Sequence, residues 1–399
     1  MSWDKVKLAD CCLSISDGDH QPPPKAVSGV PFVTIANINK SNQFDFSDTM
    51  FVPKDYYDRL DSKRKAQVGD ILYSVVGSFG IPVLIKEERP FVFQRHIAIL
   101  RPNERINSAF LYYTMLSRDF YAKADAAAIG AAQRTVSLTS LRGMEIELPP
   151  LKVQEAITSK LSVYDNLIEN NQKQIKLLEE AAQRLYKEWL VDLRFPGYED
   201  TPIVDGVPEG WEEAQIDSRI SLLSGYAFKS AQFDSSGEYK IVTIKNVKDG
   251  EFDGINTNRI VSIPGKTPKH CVLTDGDILL SLTGNVGRTC IVNGNNYLLN
   301  QRIAKLQSDI PAFTYCLFRS SDMFDAMNNL ANGTAQQNLS PIRTGKISIL
   351  FPADNLLEEF ERIVGSMISK MLSLIKQCDL LIQARDRLLP KLMSGEIEV

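Results

Sequence analysis

Little in this 399-residue chain is spaced for covalent chemistry. One candidate is Asp234, Glu238 and Lys240, an acidic pair followed by a lysine, which can hold a divalent metal beside a scissile phosphate. A solvated loop produces the same pattern by chance, and the first half of the chain has no counterpart. The three histidines, His20, His96 and His270, do not cluster, and the six cysteines show no CxxC spacing. No metal site and no disulfide framework is expected from them. A Walker-type run ending in Lys-Ser or Lys-Thr is absent, as are a GxGxxG fingerprint and an Asn-Pro-Pro-aromatic signature for holding a flipped adenine. The short GxxG runs at Gly77–Gly80 and Gly284–Gly287 read as turns after strands. No catalytic residue can be named, and the chain is expected to bind no cofactor of its own.

Polar recognition is the chemistry that remains. Reading base edges takes bidentate groups, Arg for guanine and Gln or Asn for adenine, while Lys, Ser and backbone amides hold phosphates. Such groups stand at matching places in the two halves of the chain. In the first half they are Ser78, Arg95, His96, Gln133 and Arg134; in the second, Asn285, Arg288, Arg302, Gln336 and Gln337. Lys25, Lys229 and Lys245 are candidates for phosphate. The segments that differ between the halves, around Asp17–Lys25 and Tyr226–Tyr239, are expected to carry the choice of sequence.

Two long amphipathic stretches must position these groups. From Leu151 to Arg194, Ile157, Leu161, Tyr164, Ile168, Asn171, Ile175, Leu178, Ala182, Leu185 and Trp189 alternate in steps of four and three, the seam by which one helix lies along another. At ~1.5 Å per residue such a helix is a rod of about 65 Å. The same seam returns 203 positions later as Phe360, Val364, Met367, Met371, Leu374, Cys378, Leu381, Arg385, Leu388 and Leu392, and Pro149 maps onto Pro352. Asn171 is a polar seam residue that can fix register at a cost in stability; a water-facing helix edge is the competing reading.

The globules preceding the rods repeat as well. Gly69-Asp70-Ile71-Leu72 returns as Gly276-Asp277-Ile278-Leu279, Gln94-Arg95 as Gln301-Arg302, Gly130-Ala131-Ala132-Gln133 as Gly333-Thr334-Ala335-Gln336, and Val33-Thr34-Ile35 with Asn37 as Val242-Thr243-Ile244 with Asn246. Strands are predicted at Phe32–Ile35, Asp70–Val76 and Ile97–Leu100, and a helix over Ser108–Leu116. The expected fold is α+β: two similar mixed domains, residues 1–150 and 211–351, separated by two long antiparallel helices, 151–194 and 352–399, with a linker at 195–210. Net charge is −4 with no basic tail or block, so any binding of nucleic acid needs local patches or basic partners. No signal peptide or membrane span is legible, and a cytoplasmic protein is expected.

Two longer motifs then become recognisable. Leu185-Tyr186-Lys187-Glu188-Trp189-Leu190-Val191-Asp192-Leu193-Arg194-Phe195-Pro196-Gly197, followed by Val207-Pro208-Glu209-Gly210-Trp211, resembles the central conserved region of type I restriction–modification specificity subunits. Arg387-Leu388-Leu389-Pro390-Lys391-Leu392-Met393-Ser394-Gly395-Glu396-Ile397 is similar to that family's C-terminal signature, and Asp17-Gly18-Asp19-His20 and Gly225-Tyr226-Ala227-Phe228 to the openings of its two target-recognition domains. The resemblance implies a subunit without catalysis of its own, each globule reading one half of a bipartite DNA target across a gap set by the rods. It further implies two copies of an adenine-methylating subunit and a translocase–endonuclease as partners, with S-adenosylmethionine and ATP with Mg on those partners only. Two other readings stay open from the residues alone: a stand-alone sequence-specific DNA binder, and a non-catalytic assembly scaffold.

Overall fold

The computed structural model describes residues 3–20, 22–39, 41–131, 133–255, 257–331 and 337–399. The first long helix runs from Leu151 to Tyr186 and continues as a wider π-helical turn, Lys187–Val191. The heptad pattern predicts a helix to Arg194, but the chain leaves it at Leu193, whose φ of 56° is left-handed. Arg194 then folds back on Glu188 through two bonds of 2.7 and 2.8 Å. The second long helix spans Asp354–Met393 and carries Pro390 in its last turn, where the missing N–H costs little helix.

Two compact units result, Met1–Asn170 with Cys378–Val399, and Asn171–Gln377. Each holds one globule and a stretch of both long helices, so the units cut across the rods. In the first unit Ile157 and Leu161 join Leu389 and Leu392 in one core, Leu388 half-buried beside them, and Cys378 meets the Ile168 carbonyl. In the second, Ala182 shares a core with Phe360 and Val364, with Leu185, Trp189 and Met367 packed against it. Tyr164, Ile175, Leu178 and Leu381 are half-buried, while Asn171, Met371 and Leu374 are buried. In the first unit Ile157 shares a core with Leu389 and Leu392 while Ile168 meets Cys378, and in the second Asn171 meets Gln377 while Ala182 shares a core with Phe360, so the stretches run antiparallel within each unit.

The globules share the topology of their larger sheet, and among the described residues the smaller sheet of the second has one strand more. The first builds an antiparallel sheet in the order Cys12–Asp17, Ile97–Pro102, Ile71–Ser74, Pro82–Leu84, and a smaller one in the order Met50–Val52, Val30–Val33, Val92–Phe93. The second repeats the first sheet as Ser221–Ser224, Ile303–Gln307, Ile278–Ser281, Thr289–Ile291, and has Asn258–Ile260, Tyr239–Val242, Tyr297–Leu299, Val272–Leu273 for the other. A two-stranded ladder closes each globule just before its long helix, Asp4–Lys7 with Glu145–Leu148 and Glu212–Gln215 with Ser348–Phe351. The central strands are apolar on both faces because small helices, among them Ser108–Leu116, which matches the predicted span, and Pro311–Arg319, cover one face and the smaller sheet covers the other.

Residues 195–210 are not an open linker. Ile203–Val204 pairs with Val207–Pro208 across Asp205-Gly206, both at positive φ as a tight hairpin turn requires. Phe195, Trp211 and Leu356 close a small core beneath it, and burying two large aromatic rings is what holds this segment in place. The predicted strand Phe32–Ile35 also shifts. Val30–Val33 is extended, and Ile35–Asn37 turns into a single 3-10 turn because the side-chain Oδ1 of Asn37 accepts from both the amide and the hydroxyl of Thr34.

Candidate nucleic-acid interface

The repeated motifs separate into frame and cleft. Thr34 with Asn37 and Thr243 with Asn246 form the same capped turn, at 2.8–3.0 Å in both, with Asn246 Nδ2 donating onward to the Asp253 carbonyl. Asp70 accepts a forked pair of bonds from Arg101, and Asp277 meets Lys305 at 2.8 Å. These repeats hold strands and turns together, and their side chains are engaged within the protein.

The other repeats converge. In the first globule the GxxG turn lies against the 133–136 loop, with Gly77 N–H donating to the Arg134 carbonyl and Val136 N–H to that of Val75. Val75 N–H donates to the His96 carbonyl, and Arg95 N–H to that of Asp19. Four separate stretches thus surround a cleft of about 310 Å³ lined by Asp17, Val76, Arg95, His96, Gln133 and Thr135. The second globule builds the same arrangement: Gly284 N–H donates to the Gln337 carbonyl, Leu282 N–H to Arg302 and Gln301 N–H to Tyr226. Thr283, Gln301, Arg302, Gln337 and Asn338 line a cleft of about 390 Å³.

Gly18 and Gly225 make the close approach possible. A Cβ on either would stand 2.2 Å from the carbonyl oxygen of Phe93 or Asn300, so the opening segment can lie directly on the Gln-Arg turn only with glycine there.

Arg95 and Arg302 are exposed, and among the described residues neither guanidinium has a hydrogen-bond or ion-pair partner in the protein. Each is a five-donor fork at a polar cleft, the group suited to guanine or phosphate. Burial, and secondarily the charge of Arg95, lower the pKa of His96, so its imidazole stays neutral and offers one donor and one acceptor. Arg134 is differently placed. Its guanidinium bonds to the side chain and carbonyl of Asp125 and lies over the Phe79 ring, so it braces the loop. Arg288 faces the Asn285 amide at 3.1 Å within the second GxxG turn. Ser78 and Asn285 are exposed at the turns but line neither cleft, and the exposed Lys25, Lys229 and Lys245 stand outside both. Gln336 lies outside the described residues.

Asp17 opens the segment expected to carry the choice of sequence, and it lines the first cleft; Thr135, Thr283, Gln301 and Asn338 are lining groups that sequence reading did not single out. The available signal was position, since Thr135, Thr283 and Asn338 each flank a repeated motif by one or two residues and Gln301 is part of one. The acidic cluster is dispersed. Asp234 accepts from Ser236, Glu238 from Asn296, and Lys240 lies over the Tyr297 ring, burial lowering its pKa.

Comparisons with known proteins agree with this architecture. The family model described as the type I restriction modification DNA specificity domain matches residues 2–180 and again 208–367. The MjaIX type I restriction enzyme specificity subunit of Methanocaldococcus jannaschii is 24% identical over 83% of this chain and 78% of its own. The HindI specificity subunit of Haemophilus influenzae is 22% identical over 99% of both chains. Among solved structures, the type I restriction–modification S subunit from M. genitalium superposes with a TM-score of 0.54 at 17% identity, covering 98% of this chain and 96% of that one.

Proposed function

The chain belongs to the type I restriction–modification DNA specificity family, and from that premise we propose that its two clefts read the two unlike halves of a bipartite, asymmetric DNA target. One observation carries this reading: residues 75–76, 95–96, 133 and 135–138 line a polar, exposed cleft in the first globule and their counterparts at 283, 301–302 and 337–338 line one in the second, yet the side chains lining the two differ. A shared frame with unlike linings suits two different sequences read in one manner. Arg95, His96 and Gln133 serve one half and Gln301, Arg302 and Gln337 the other, with Lys25, Lys229 and Lys245 on neighbouring phosphates. The long helices would then set the gap between the halves and offer their outer faces to two copies of an adenine-N6 methyltransferase subunit and to a translocase–endonuclease.

S-adenosylmethionine, ATP and Mg would be bound by those partners. A net charge of −4 supports dependence on them, because a clamp assembled with basic partners need not be basic in every part. Among the described residues no helix is long and apolar enough to cross a membrane, which is compatible with a cytoplasmic complex.

The test is co-expression with the cognate methyltransferase subunit and genome-wide mapping of methylated adenines. One motif with two unlike halves and a fixed gap is expected. Arg95→Ala should relax one half, and Arg302→Ala the other. A stable complex that methylates nothing would move the weight to an assembly scaffold, and failure to form a complex would favour a lone DNA binder.

A further inference from the structure

The two clefts differ most at one position. Asp17 closes the outer strand of the first globule and lines its cleft; the second globule has Ser224 at the matching strand end, just before the equivalent glycine. The Asp17 carboxylate is one-fifth exposed and lies 2.9 Å from His20 Nε2. Among the described residues no carboxylate lines the second cleft, whose polar groups there are the amides of Gln301, Gln337 and Asn338, the Thr283 hydroxyl and the Arg302 guanidinium, and Ser224 is not among them.

A carboxylate is an unexpected group to turn toward a polyanion, because it repels every phosphate and can only accept hydrogen bonds. It is tolerable in such a cleft where it faces a donor on a base edge. The major groove offers two, the N4 amino group of cytosine and the N6 amino group of adenine. Adenine sets its N7 acceptor beside that donor, facing the second carboxylate oxygen, whereas cytosine presents only C–H there. Cytosine is therefore the better partner, and Arg95 across the same cleft supplies the fork that fits guanine O6 and N7.

We infer that Asp17 is a specificity-determining residue which accepts a hydrogen bond from a cytosine N4 amino group, so that the half-site read by the first globule contains an obligatory C·G pair with no counterpart assigned to Ser224 in the other half. This inference rests on the cleft reading given above, and the two fail differently.

The assembled complex with its methyltransferase subunit is the material for the test. The wild-type motif comes first: no bipartite motif defeats the cleft reading itself, whereas a bipartite motif in which neither half requires a C·G pair overturns only the assignment of Asp17. Binding is then measured to target duplexes in which the required cytosine carries an N4-methyl group, a base that keeps its Watson–Crick proton and loses the one in the major groove. Affinity is expected to drop roughly tenfold to a hundredfold at that position; unchanged binding of the wild-type complex overturns the inference. Asp17→Ser, which installs the residue of the second globule, should relax that position alone and shrink the penalty of N4 methylation. Asp17→Asn should shift its preference toward adenine. A folded Asp17→Ser complex that keeps the wild-type motif and the full N4-methyl penalty overturns the assignment, and the wild-type duplex measurement decides the matter even where a variant does not fold.

Discussion

The two units face the same mechanical problem, fastening a globule to the long helices, and meet it with different residues. In the first, Tyr113 donates to Asp165 of the first long helix at 2.6 Å, and Arg385 of the second closes on the same carboxylate at 2.7 Å. In the second, Tyr315 donates to Glu179 at 2.9 Å, and the cation is Arg319, which belongs to the globule and also meets Asp249. The seam position equivalent to Arg385 is Ala182, buried and apolar. An acid on the first long helix and a tyrosine on the packed small helix recur, while the arginine has moved from rod to globule.

Capping shows the same substitution of means. Helix Ser108–Leu116 is capped by its own Asn107, whose side chain accepts from the amides of Ala109 and Phe110, and Gln154 of the long helix accepts from the Asn107 amide. Helix Pro311–Arg319 has no side-chain cap of its own, and the carboxylate of Glu361 on the second long helix accepts from the amides of Ala312 and Phe313 at 2.9 and 2.7 Å. A local cap makes a helix partly independent, whereas a borrowed one makes the helix depend on the rod. The lesson is that duplication conserved the task at each globule and left the residues that perform it free to move: by the 203-residue displacement Asp165 maps onto Ile368 and Tyr113 onto Cys316.

This contrast can be broken unit by unit. The largest effect is expected from Arg385→Leu. With only 11% of the arginine and 17% of Asp165 exposed, removing the cation strands a carboxylate in poor solvent, at a cost of about 3–5 kcal/mol. Hydrogen exchange should show the loss confined to the first unit, and uniform loss across the chain would undo the claim that the tether is local. Arg319→Leu should produce the mirror result in the second unit.

Glu361→Ala comes next, at about 1–3 kcal/mol, because two buried amides lose their acceptor. The pH dependence sharpens this. Burial, opposed by the two amide bonds, raises the pKa of the Glu361 carboxyl above its usual 4.5. The folded state therefore holds the proton more tightly than the unfolded one, and the group's contribution is fully present below the ordinary value and lost as pH rises through the raised one. A melting series across that window should be flatter in Glu361→Gln than in the wild type.

Asn171→Leu should act in the opposite direction. Asn171 is buried in the seam and its amide reaches Gln377 at 3.4 Å, a long bond for the polar surface it takes out of water. Leucine there should raise the melting temperature of the second unit by a few degrees, for a gain of about 1 kcal/mol. A fall would mean that the amide contributes more than its desolvation costs.

The smallest effect belongs to His96. Its pKa is lowered, so the folded state binds its proton less readily than the unfolded chain. The resulting stability is present above the usual imidazole value and is lost as pH falls through the lowered one. The group is partly exposed, so less than about 1 kcal/mol is expected. A melting series between pH 5 and 7 should lose that component in His96→Gln, which also leaves the second cleft unchanged as an internal control.

The sequence by itself determined the duplication, the seams and the family. Heptad spacing is a local, periodic property, and a displacement of 203 residues is visible without coordinates. It marked Arg95, Arg302, Gln133 and Gln337 for the same reason, since a repeated motif needs no tertiary contact to be seen. Only the tertiary structure decided which repeats are frame and which are cleft. Asn37 and Asn246 look like adenine-reading amides until their oxygens are found on Thr34 and Thr243. Arg134 looks like a base-reading fork until it closes on Asp125. Asp17 stood in an opening motif that the sequence marks, but its place in the cleft comes from Gly18 letting one strand end lie on a turn some 75 residues away in the chain. Hydrogen-bond partners across such separations are set by packing, and local pattern holds no record of them.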